Sequence, residues 1–323
     1  MKRPSSNLNV NLRRFEQEKG MPNESASYRY ISEGVWRRVV AAGEAENLIA
    51  KGGFILGEIF GLENRTSQDL DMSFVGTHPA DEVQELFEKA LAIELDDELH
   101  FDNIRTKFNP GKLSSPLDGF SVKFDVYLPP NANKPDRPIK FLGFKIDITD
   151  GEHIVPPSQR FDVNLIMTNE TLSLVSYPTE RMVAEKMEAV LHHGENSTRT
   201  RDFADLHDFN ELFGASINLE SLKESFEDQV EVRDTIADET TIDRTLLNLF
   251  ESPKSAELWR SYQDQFNIDY TWEEAMTAVE EWFAAIELIQ PDFRNVSFPL
   301  SQRVFGNGNN ISVDNRSQDG PSI

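Results

Sequence analysis

The spacing of apolar residues changes at Tyr177-Pro178, and this change limits what the chain can fold into. Before that point, residues 120–128 (FSVKFDVYL) and 139–150 (IKFLGFKIDITD) alternate apolar and polar side chains, which predicts half-buried β-strands. Residues 64–74 (NRTSQDLDMSF) predict a third strand. After that point the spacing is almost entirely that of amphipathic helices. The sequence therefore predicts an α+β protein in which a small mixed sheet with helices precedes a helical domain.

Local composition sets the expected boundaries. We predict a polar N-terminal segment over residues 1–25, an α/β domain over 26–178, a helical domain over 179–295 and a disordered tail over 296–323. Helical spacing in the α/β domain runs from Tyr28 to Ala50, and a later helix is opened by Pro79. Thr179 is the predicted N-cap of the first helix of the helical domain.

Composition excludes several kinds of chemistry. The 323 residues include no cysteine, so disulfides, a thiolate nucleophile and cysteine-bound zinc are excluded. The formal net charge of -24 argues against a surface coated with nucleic-acid-binding residues, although a local basic groove is compatible with it. No apolar run approaches the roughly 18 residues of a membrane-spanning helix, and the N-terminal residues lack the hydrophobic stretch of a signal peptide. We therefore expect a cytoplasmic protein without a membrane partner.

Two aspartates lie two residues apart in the predicted strand 64–74. Side chains alternate faces along a strand, so the carboxylates of Asp69 and Asp71 point the same way, together with Ser67 and Ser73. Two like charges about 4 Å apart repel by about 4 kcal/mol at an effective dielectric constant near 20. A bound divalent cation would offset this repulsion. Taken alone, such a pair is more often a solvated edge or a turn cap than a metal site.

Three further features favour a site for metal and phosphate. Gly52-Gly53 marks a turn into a short apolar helix, where glycines permit close approach and N–H groups at the helix start bind phosphate. Asp147 lies in mid-strand between apolar neighbours, where a lone buried carboxylate needs a partner. With the aspartate pair it makes the set of oxygen ligands that holds Mg²⁺ against a triphosphate. Basic residues accompany these carboxylates, namely Lys51, Arg65, Lys186 and the RTRD segment at 199–202.

Four segments, in this order, resemble the nucleotidyltransferase AbiEii/AbiGii toxin family. They are the Gly-Gly turn (KGGFIL), the R-x-S-x-D-x-D strand, the E-K-x-x-A helix and the R-D-x-x-D-L helix, all within about residues 8–215. The family comprises toxin halves of bacterial toxin–antitoxin and abortive-infection systems. The resemblance implies a polymerase-β-like nucleotidyltransferase core followed by a helical domain. It also implies nucleotide transfer from an NTP, with RNA, notably the 3′ end of tRNA, as acceptor in members with a known target, and a cognate antitoxin as a partner.

Carried over by position, the resemblance also implies roles for individual residues. The metal ligands for Mg²⁺ or Mn²⁺ are Asp69, Asp71 and Asp147. The nucleotide-binding set consists of Lys51, Gly52, Gly53, Arg65, Ser67 and Lys186. The catalytic set adds Asp202, which orients Lys186, while Asp147 helps to deprotonate the acceptor hydroxyl. Two positions depart from the family pattern: Phe54 stands where many nucleotidyltransferases have serine, and Ala204 stands where relatives often carry an aromatic residue.

Each assignment has an alternative. Lys186 and Glu185 could form the solvated side of an amphipathic helix, and Asp202 and Asp205 could be first-turn acidic residues favoured by the helix dipole. The same fold could nucleotidylate a protein side chain or a small molecule. A non-catalytic interaction protein that binds NTP is a further alternative, which the intact set of Asp69, Lys186 and their companions disfavours.

The distribution of charge suggests where an RNA acceptor approaches. Acidic residues outnumber basic ones by roughly three to one between positions 201 and 295, whereas phosphate contacts need cationic side chains. Basic residues expected near the cleft are Arg37, Arg38, Lys51, Arg65, Arg199 and Arg201. We therefore expect RNA to enter from the side of the Gly-Gly turn and the RTR segment, with the acidic helices turned away.

Overall fold

A computed structural model describes residues 5–21, 24–61, 67–112, 116–129, 138–168 and 170–290. Arg65 and the predicted tail over 296–323 lie outside these residues. The described residues form ten α-helices: α1 (Ser5–Lys19), α2 (Ser25–Ala41), α3 (Gly53–Phe60), α4 (Ala80–Leu91), α5 (Thr179–His193), α6 (Thr200–Phe213), α7 (Leu219–Arg233), α8 (Glu239–Glu251), α9 (Pro253–Phe266) and α10 (Trp272–Ala285).

The strands of the described residues form one seven-stranded mixed sheet. They are β1 (Leu48–Lys51), β2 (Leu70–Phe74), β3 (His100–Asn109), β4 (Gly119–Leu128), β5 (Ile139–Thr149), β6 (Gln159–Asn164) and β7 (Thr171–Ser176). Their order across the sheet is β3-β4-β5-β2-β1-β7-β6. Strands β2 and β5 run parallel, as do β1 and β7, and the other neighbours are antiparallel. The predicted α+β class, with a mixed sheet followed by helices, is confirmed.

The helix predicted from Tyr28 to Ala50 is too long. Helix α2 ends at Ala41, and Gly43 follows with a φ of +82°, a left-handed conformation that terminates helices. The next apolar residues, Leu48 to Ala50, are instead the buried central strand β1. A short continuous apolar run suits a buried strand as well as a helix, so spacing alone could not separate the two.

Two details at the element ends also differ from the predictions. Pro178 occupies the N-cap position of α5 and Thr179 is its first helical residue, with no side-chain cap hydrogen bond. Strand β2 begins at Leu70, so Asp69 precedes the strand and only Asp71 lies within it. The alternation rule therefore places Asp71 and Ser73 on one face, while the position of Asp69 depends on the bend before the strand.

One continuous hydrophobic core connects the sheet to the helices. Helix α10 is central to it, because Trp282 and Phe283 are fully buried and the Trp282 Nε1 group donates a hydrogen bond of 2.9 Å to the Leu206 carbonyl. Helix α1 packs against α2, and its Leu12 is buried in the core. None of the helices in the described ranges is both long enough and apolar enough to span a membrane.

Candidate active site

Polar side chains form a row across the centre of the sheet. In the strand register, Lys51 of β1 pairs with Asp71 of β2, Asp71 pairs with Asp147 of β5, and Asp147 pairs with Ser121 of β4. Paired positions on neighbouring strands project to the same face. The fold therefore brings together three predicted site residues that are far apart in sequence, and we call Lys51, Asp71, Asp147 and Ser121 the polar row.

The Gly-Gly turn lies directly against this row. Gly52 adopts a φ of +64°, and a Cβ placed on it would lie 2.4 Å from Asp71 Oδ2. A Cβ placed on Gly53 would lie 2.4 Å from the Ser67 Cβ. Only glycine therefore allows Asp71 and Ser67 to approach the turn so closely. Since Gly53 is the first residue of α3, the start of that helix faces the carboxylate of Asp71.

The Asp71 carboxylate of the row has a raised pKa. Burial raises the pKa of Asp71; Lys51 and Lys186 oppose this increase, whereas the neighbouring carboxylates of Asp147 and Asp69 add to it. These electrostatic effects require the four groups to lie near Asp71. The charges of Asp69, Asp147, Lys51 and Lys186 therefore all act on the Asp71 carboxylate.

Asp147 differs from its predicted state. It was expected to be a lone buried carboxylate, but its side chain is 39% exposed and accepts a hydrogen bond of 2.8 Å from Ser121 Oγ. Lys145, two residues earlier on the same face of β5, forms an ion pair of 2.6 Å with Asp147 and lies 3.7 Å from Asp69 Oδ1. The sequence predicted no role for Lys145, which neutralises part of the negative charge of Asp147 and Asp69.

The carboxylates do not form a closed metal cluster in this conformation. Across the described ranges, no group of at least three His, Asp or Glu side chains is arranged to hold a metal ion. The donor set still suits a hard divalent cation, because Asp71 lies against Gly52 and the carboxylates of Asp69 and Asp147 act electrostatically on it. Lys145 would have to release Asp147 for all three to bind one ion.

Lys186 is held between two aspartates of α6. Its Nζ lies 2.6 Å from Asp202 Oδ1 and 2.9 Å from Asp205 Oδ2, and its side chain is 14% exposed. Asp202 also pairs with Arg199 at 2.7 Å. The alternative in which Lys186 is a solvated helix residue is therefore wrong. The predicted contact with Asp202 is present, and Asp205 is a second partner that the sequence left unassigned.

Lys51 points into a buried polar cluster beside the row. Its Nζ donates to Thr149 Oγ1 at 2.7 Å and to Tyr177 OH at 3.1 Å, and lies 3.3 Å from Glu152 Oε2. Glu152 also accepts hydrogen bonds from Ser73 Oγ at 2.5 Å and from the Tyr177 hydroxyl. Lys51 is therefore oriented by the fold, although the sequence had suggested only a basic residue near phosphate.

Glu152 connects this cluster to the helical domain. It pairs at 2.9 Å with Arg181 of α5, which in turn pairs at 2.6 Å with Asp228 of α7. Burial alone would raise the pKa of Glu152, but Lys51, Arg181 and the hydroxyl donors lower it from 4.5 to about 2. The sequence around Glu152 contains no motif that predicts this role, because each of its partners comes from a distant segment.

Two arginines expected to face an RNA acceptor have structural roles. Arg38 is 1% exposed and makes bidentate contacts with Asp97, of 2.6 and 3.0 Å. Arg37 lies 3.6 Å from the same carboxylate and 3.9 Å from Glu170. A buried arginine paired with a carboxylate cannot contact phosphate without unfolding its surroundings. The prediction that Arg37 and Arg38 form an RNA-docking surface is therefore wrong for Arg38, and Arg37 is already paired.

Comparisons with known proteins identify the family of this chain. The family model for the nucleotidyl transferase AbiEii toxin, type IV toxin–antitoxin system, matches residues 35–284. A structure of a putative nucleotidyltransferase from H. pylori is 16% identical over 83% of this chain and 98% of its own, with a TM-score of 0.44. The structure of JHP933 from Helicobacter pylori is 15% identical over 83% and 95% of the two chains, with a TM-score of 0.44.

An antigenic nucleotidyltransferase-like protein from Paracoccidioides brasiliensis is 12% identical over 69% of this chain and 94% of its own, with a TM-score of 0.37. No curated protein matches the chain. The family match covers most of the sequence and includes the Gly-Gly turn, the polar row and Lys186 with its aspartates. The chain belongs to the AbiEii nucleotidyl transferase toxin family of type IV toxin–antitoxin systems, and it is a nucleotidyltransferase.

Proposed function

We propose that this toxin transfers a nucleotide from an NTP to the 3′ end of an RNA, with tRNA as the acceptor, in the bacterial cytoplasm. The proposal includes dependence on Mg²⁺ or Mn²⁺ and a cognate antitoxin that restrains the enzyme, as in an abortive-infection system. One observation carries it: Asp71 lies against Gly52 at the start of α3, within electrostatic reach of Lys186. A helix start of the type that binds phosphate thus adjoins a carboxylate, and the charge of Lys186 acts on that carboxylate.

The proposed reaction exchanges a phosphoanhydride bond of the NTP for a phosphoester bond to the acceptor. The acceptor hydroxyl oxygen attacks the α-phosphorus of the NTP, the bond from that phosphorus to the bridging oxygen breaks, and pyrophosphate leaves. The proton of the acceptor hydroxyl passes to the Asp147 carboxylate, which is the most exposed carboxylate of the polar row. Reactions of this type depend mainly on positioning and charge neutralisation.

Different residues of the chain contribute to phosphate binding and to charge neutralisation. The N–H groups at the start of α3 bind phosphate oxygens, and the glycines at positions 52 and 53 add no side chain of their own to this turn. Lys186, held by Asp202 and Asp205, supplies a positive charge toward the phosphates. A divalent cation bound by Asp69, Asp71 and Asp147 would neutralise charge on the triphosphate and polarise its phosphorus–oxygen bonds.

Labelling identifies the reaction directly. The protein is incubated with each of the four labelled NTPs, Mg²⁺ and total RNA, and the labelled species is identified by size and by nuclease digestion. We expect label at the 3′ end of tRNA with the wild-type protein. Asp71→Asn should abolish it, and Lys186→Ala should reduce it about a hundredfold, since one charge on a transferring group contributes several kcal/mol in a dry site.

The matched control is Asp81→Asn, an exposed acidic residue in the first turn of α4, which should keep wild-type labelling. If the label is found in a protein or in a small molecule, that molecule and not RNA is the acceptor. Retained activity in Asp71→Asn would contradict the assignment of the polar row, and NTP binding without any transfer would indicate a non-catalytic binding protein.

A further inference from the structure

A cavity of about 280 Å³ lies between α6, α9 and the loop that joins α9 to α10. Aromatic side chains form much of its wall, namely Phe60, Tyr262, Phe266 and Tyr270. The volume is just below the roughly 300–1,000 Å³ of typical small-molecule sites, which suits one aromatic ring system better than a large ligand. The reactions proposed above do not use this cavity.

The charged groups of the cavity are carboxylates, which accept hydrogen bonds, while the Asn267 amide and the tyrosine hydroxyls can both donate and accept. Asp208 and Asp269 line it, and none of its described lining residues is basic. The Tyr270 hydroxyl and the His207 ring both contact Oδ1 of Asp208, at 3.1 and 3.3 Å. Within the described residues, this leaves Oδ2 of Asp208 and the exposed carboxylate of Asp269 to accept from a ligand. The cavity would repel a phosphate and attract a flat ring that carries N–H donors.

The cavity is also connected to the active site through two residues. Asp205, which lines it, lies 2.9 Å from Lys186 Nζ. Phe60, which also lines it, is the last residue of α3, whose first residue is Gly53 of the Gly-Gly turn. An eight-residue helix is about 12 Å long. That length is comparable to the separation between the phosphates and the base of an extended nucleotide.

We infer that this cavity binds the nucleobase of a substrate and favours bases with an exocyclic amino group over uracil. The base stacks on the aromatic wall, and its amino group donates to the carboxylates of Asp208 and Asp269; aspartate accepts in this way from the amino group of cytosine. The inference rests on the proposed nucleotidyl transfer. The base belongs either to the NTP or to the last nucleotide of the RNA acceptor, and the recognition chemistry is the same.

CTP and UTP provide the test, because they have nearly the same size and differ at the amino or carbonyl group of C4. Equilibrium affinities of both are measured for the wild-type protein and for the Asp208→Asn/Asp269→Asn double variant. We expect wild type to bind CTP about tenfold more tightly than UTP. The double variant should bind the two equally, by losing CTP affinity while UTP affinity is retained.

A matched control variant loses the same number of negative charges at positions outside the cavity. Asp264→Asn/Asp81→Asn replaces two exposed aspartates that do not line it, and should keep the wild-type CTP preference. Thermal unfolding of both double variants checks that the fold is intact. Nucleotide transfer to RNAs that end in C or in U is then measured for the same variants, with one NTP kept the same throughout. If the preference occurs there and disappears in the cavity variant, the cavity binds the acceptor base.

The inference is overturned if the double variant keeps wild-type ratios in both the NTP and the RNA experiments, or if wild type prefers uracil in both. Failure of the proposed function looks different, because wild type would then transfer no nucleotide to RNA whatever its relative affinities for CTP and UTP. If wild type also bound no NTP, both ideas would fall. Active transfer with equal use of cytosine and uracil at both positions would remove the base-binding inference alone.

Discussion

Glu152 is a buried carboxylate that forms ion pairs with two cationic side chains. It is 4% exposed, and it contacts Lys51 at 3.3 Å and Arg181 at 2.9 Å while accepting hydrogen bonds from Ser73 and Tyr177. Glu152→Gln keeps the shape of this side chain and removes its charge. The substitution leaves Lys51 and Arg181 with an uncharged neighbour in a region that excludes water.

The size of the effect follows from the pKa. That of Glu152 falls from 4.5 to about 2 on folding, and one pKa unit corresponds to about 1.4 kcal/mol. The ionised carboxylate therefore contributes about 3 kcal/mol to the free energy of unfolding near neutral pH. Breaking a buried ion pair by removing one partner typically costs about 3–5 kcal/mol, which agrees with this value.

The sign of the pH dependence follows from the lowered pKa. The contribution is fully present above about pH 4.5 and is lost as the pH falls toward about 2, because the unfolded state takes up its proton first. At about pH 3.5, roughly 1.4 kcal/mol of it should already be lost. The difference in unfolding free energy between wild type and Glu152→Gln should therefore narrow on acidification.

Urea denaturation at neutral pH and at about pH 3.5 measures both quantities. The control is Glu46→Gln, which removes a 64% exposed carboxylate paired with Arg160 on the surface and should change stability by less than about 1 kcal/mol. The reasoning is refuted if Glu152→Gln and Glu46→Gln are equally stable at neutral pH. A difference that grows on acidification would contradict the assigned direction of the pKa.

Two further substitutions test other parts of the fold. Gly52→Ala should lower nucleotidyl transfer about a hundredfold, because the new Cβ would displace the Asp71 carboxylate; Gly43→Ala shares the positive φ but has no heavy atom within 4 Å of its Cβ, and should keep full turnover. Asp97→Asn should lower the unfolding free energy by about 3–5 kcal/mol, since Arg38 stays buried with half its pairing lost, yet NTP affinity measured by titration should not change.

Much of the fold could be predicted from the sequence, because its helices have strong apolar periodicity. Helices α5 to α10 all lie after Pro178, in the region for which helical spacing was predicted. The missed strands have weaker patterns: in β3 most side chains are exposed, and β1 is a short apolar run that continued the spacing of α2. Such strands are specified by their neighbours in the sheet, and single-sequence spacing carries little information about them.

The candidate site could be predicted only where a motif marked it. Gly52, Asp71 and Lys186 were identified by residue type and order, and the fold places them together. Glu152 and Lys145 were missed because their importance depends on which strands and helices are adjacent, and that adjacency was unknown. Arg38 was misread for the same reason, since its partner Asp97 lies in a different segment and gives it a structural role.

The pairing of the lysines around the polar row leads to a last prediction. Lys51 pairs with Glu152, Lys145 with Asp147, and Lys186 with two aspartates of α6. Their charges are therefore largely offset by carboxylates, while Asp71 and Asp69 add negative charge that would repel a triphosphate. Nucleotide binding should then require an added divalent cation.

We expect the NTP affinity of the wild-type protein to fall at least about tenfold, or about 1.4 kcal/mol, when divalent cations are removed by a chelator. Asp71→Asn should bind NTP with much weaker dependence on Mg²⁺, because the substitution removes both a ligand and a repulsive charge. Titration calorimetry at several Mg²⁺ concentrations measures both variants without turnover. If chelation leaves the wild-type affinity unchanged, the lysines must release their aspartates to bind phosphate directly, and the predicted metal role of Asp69, Asp71 and Asp147 is wrong.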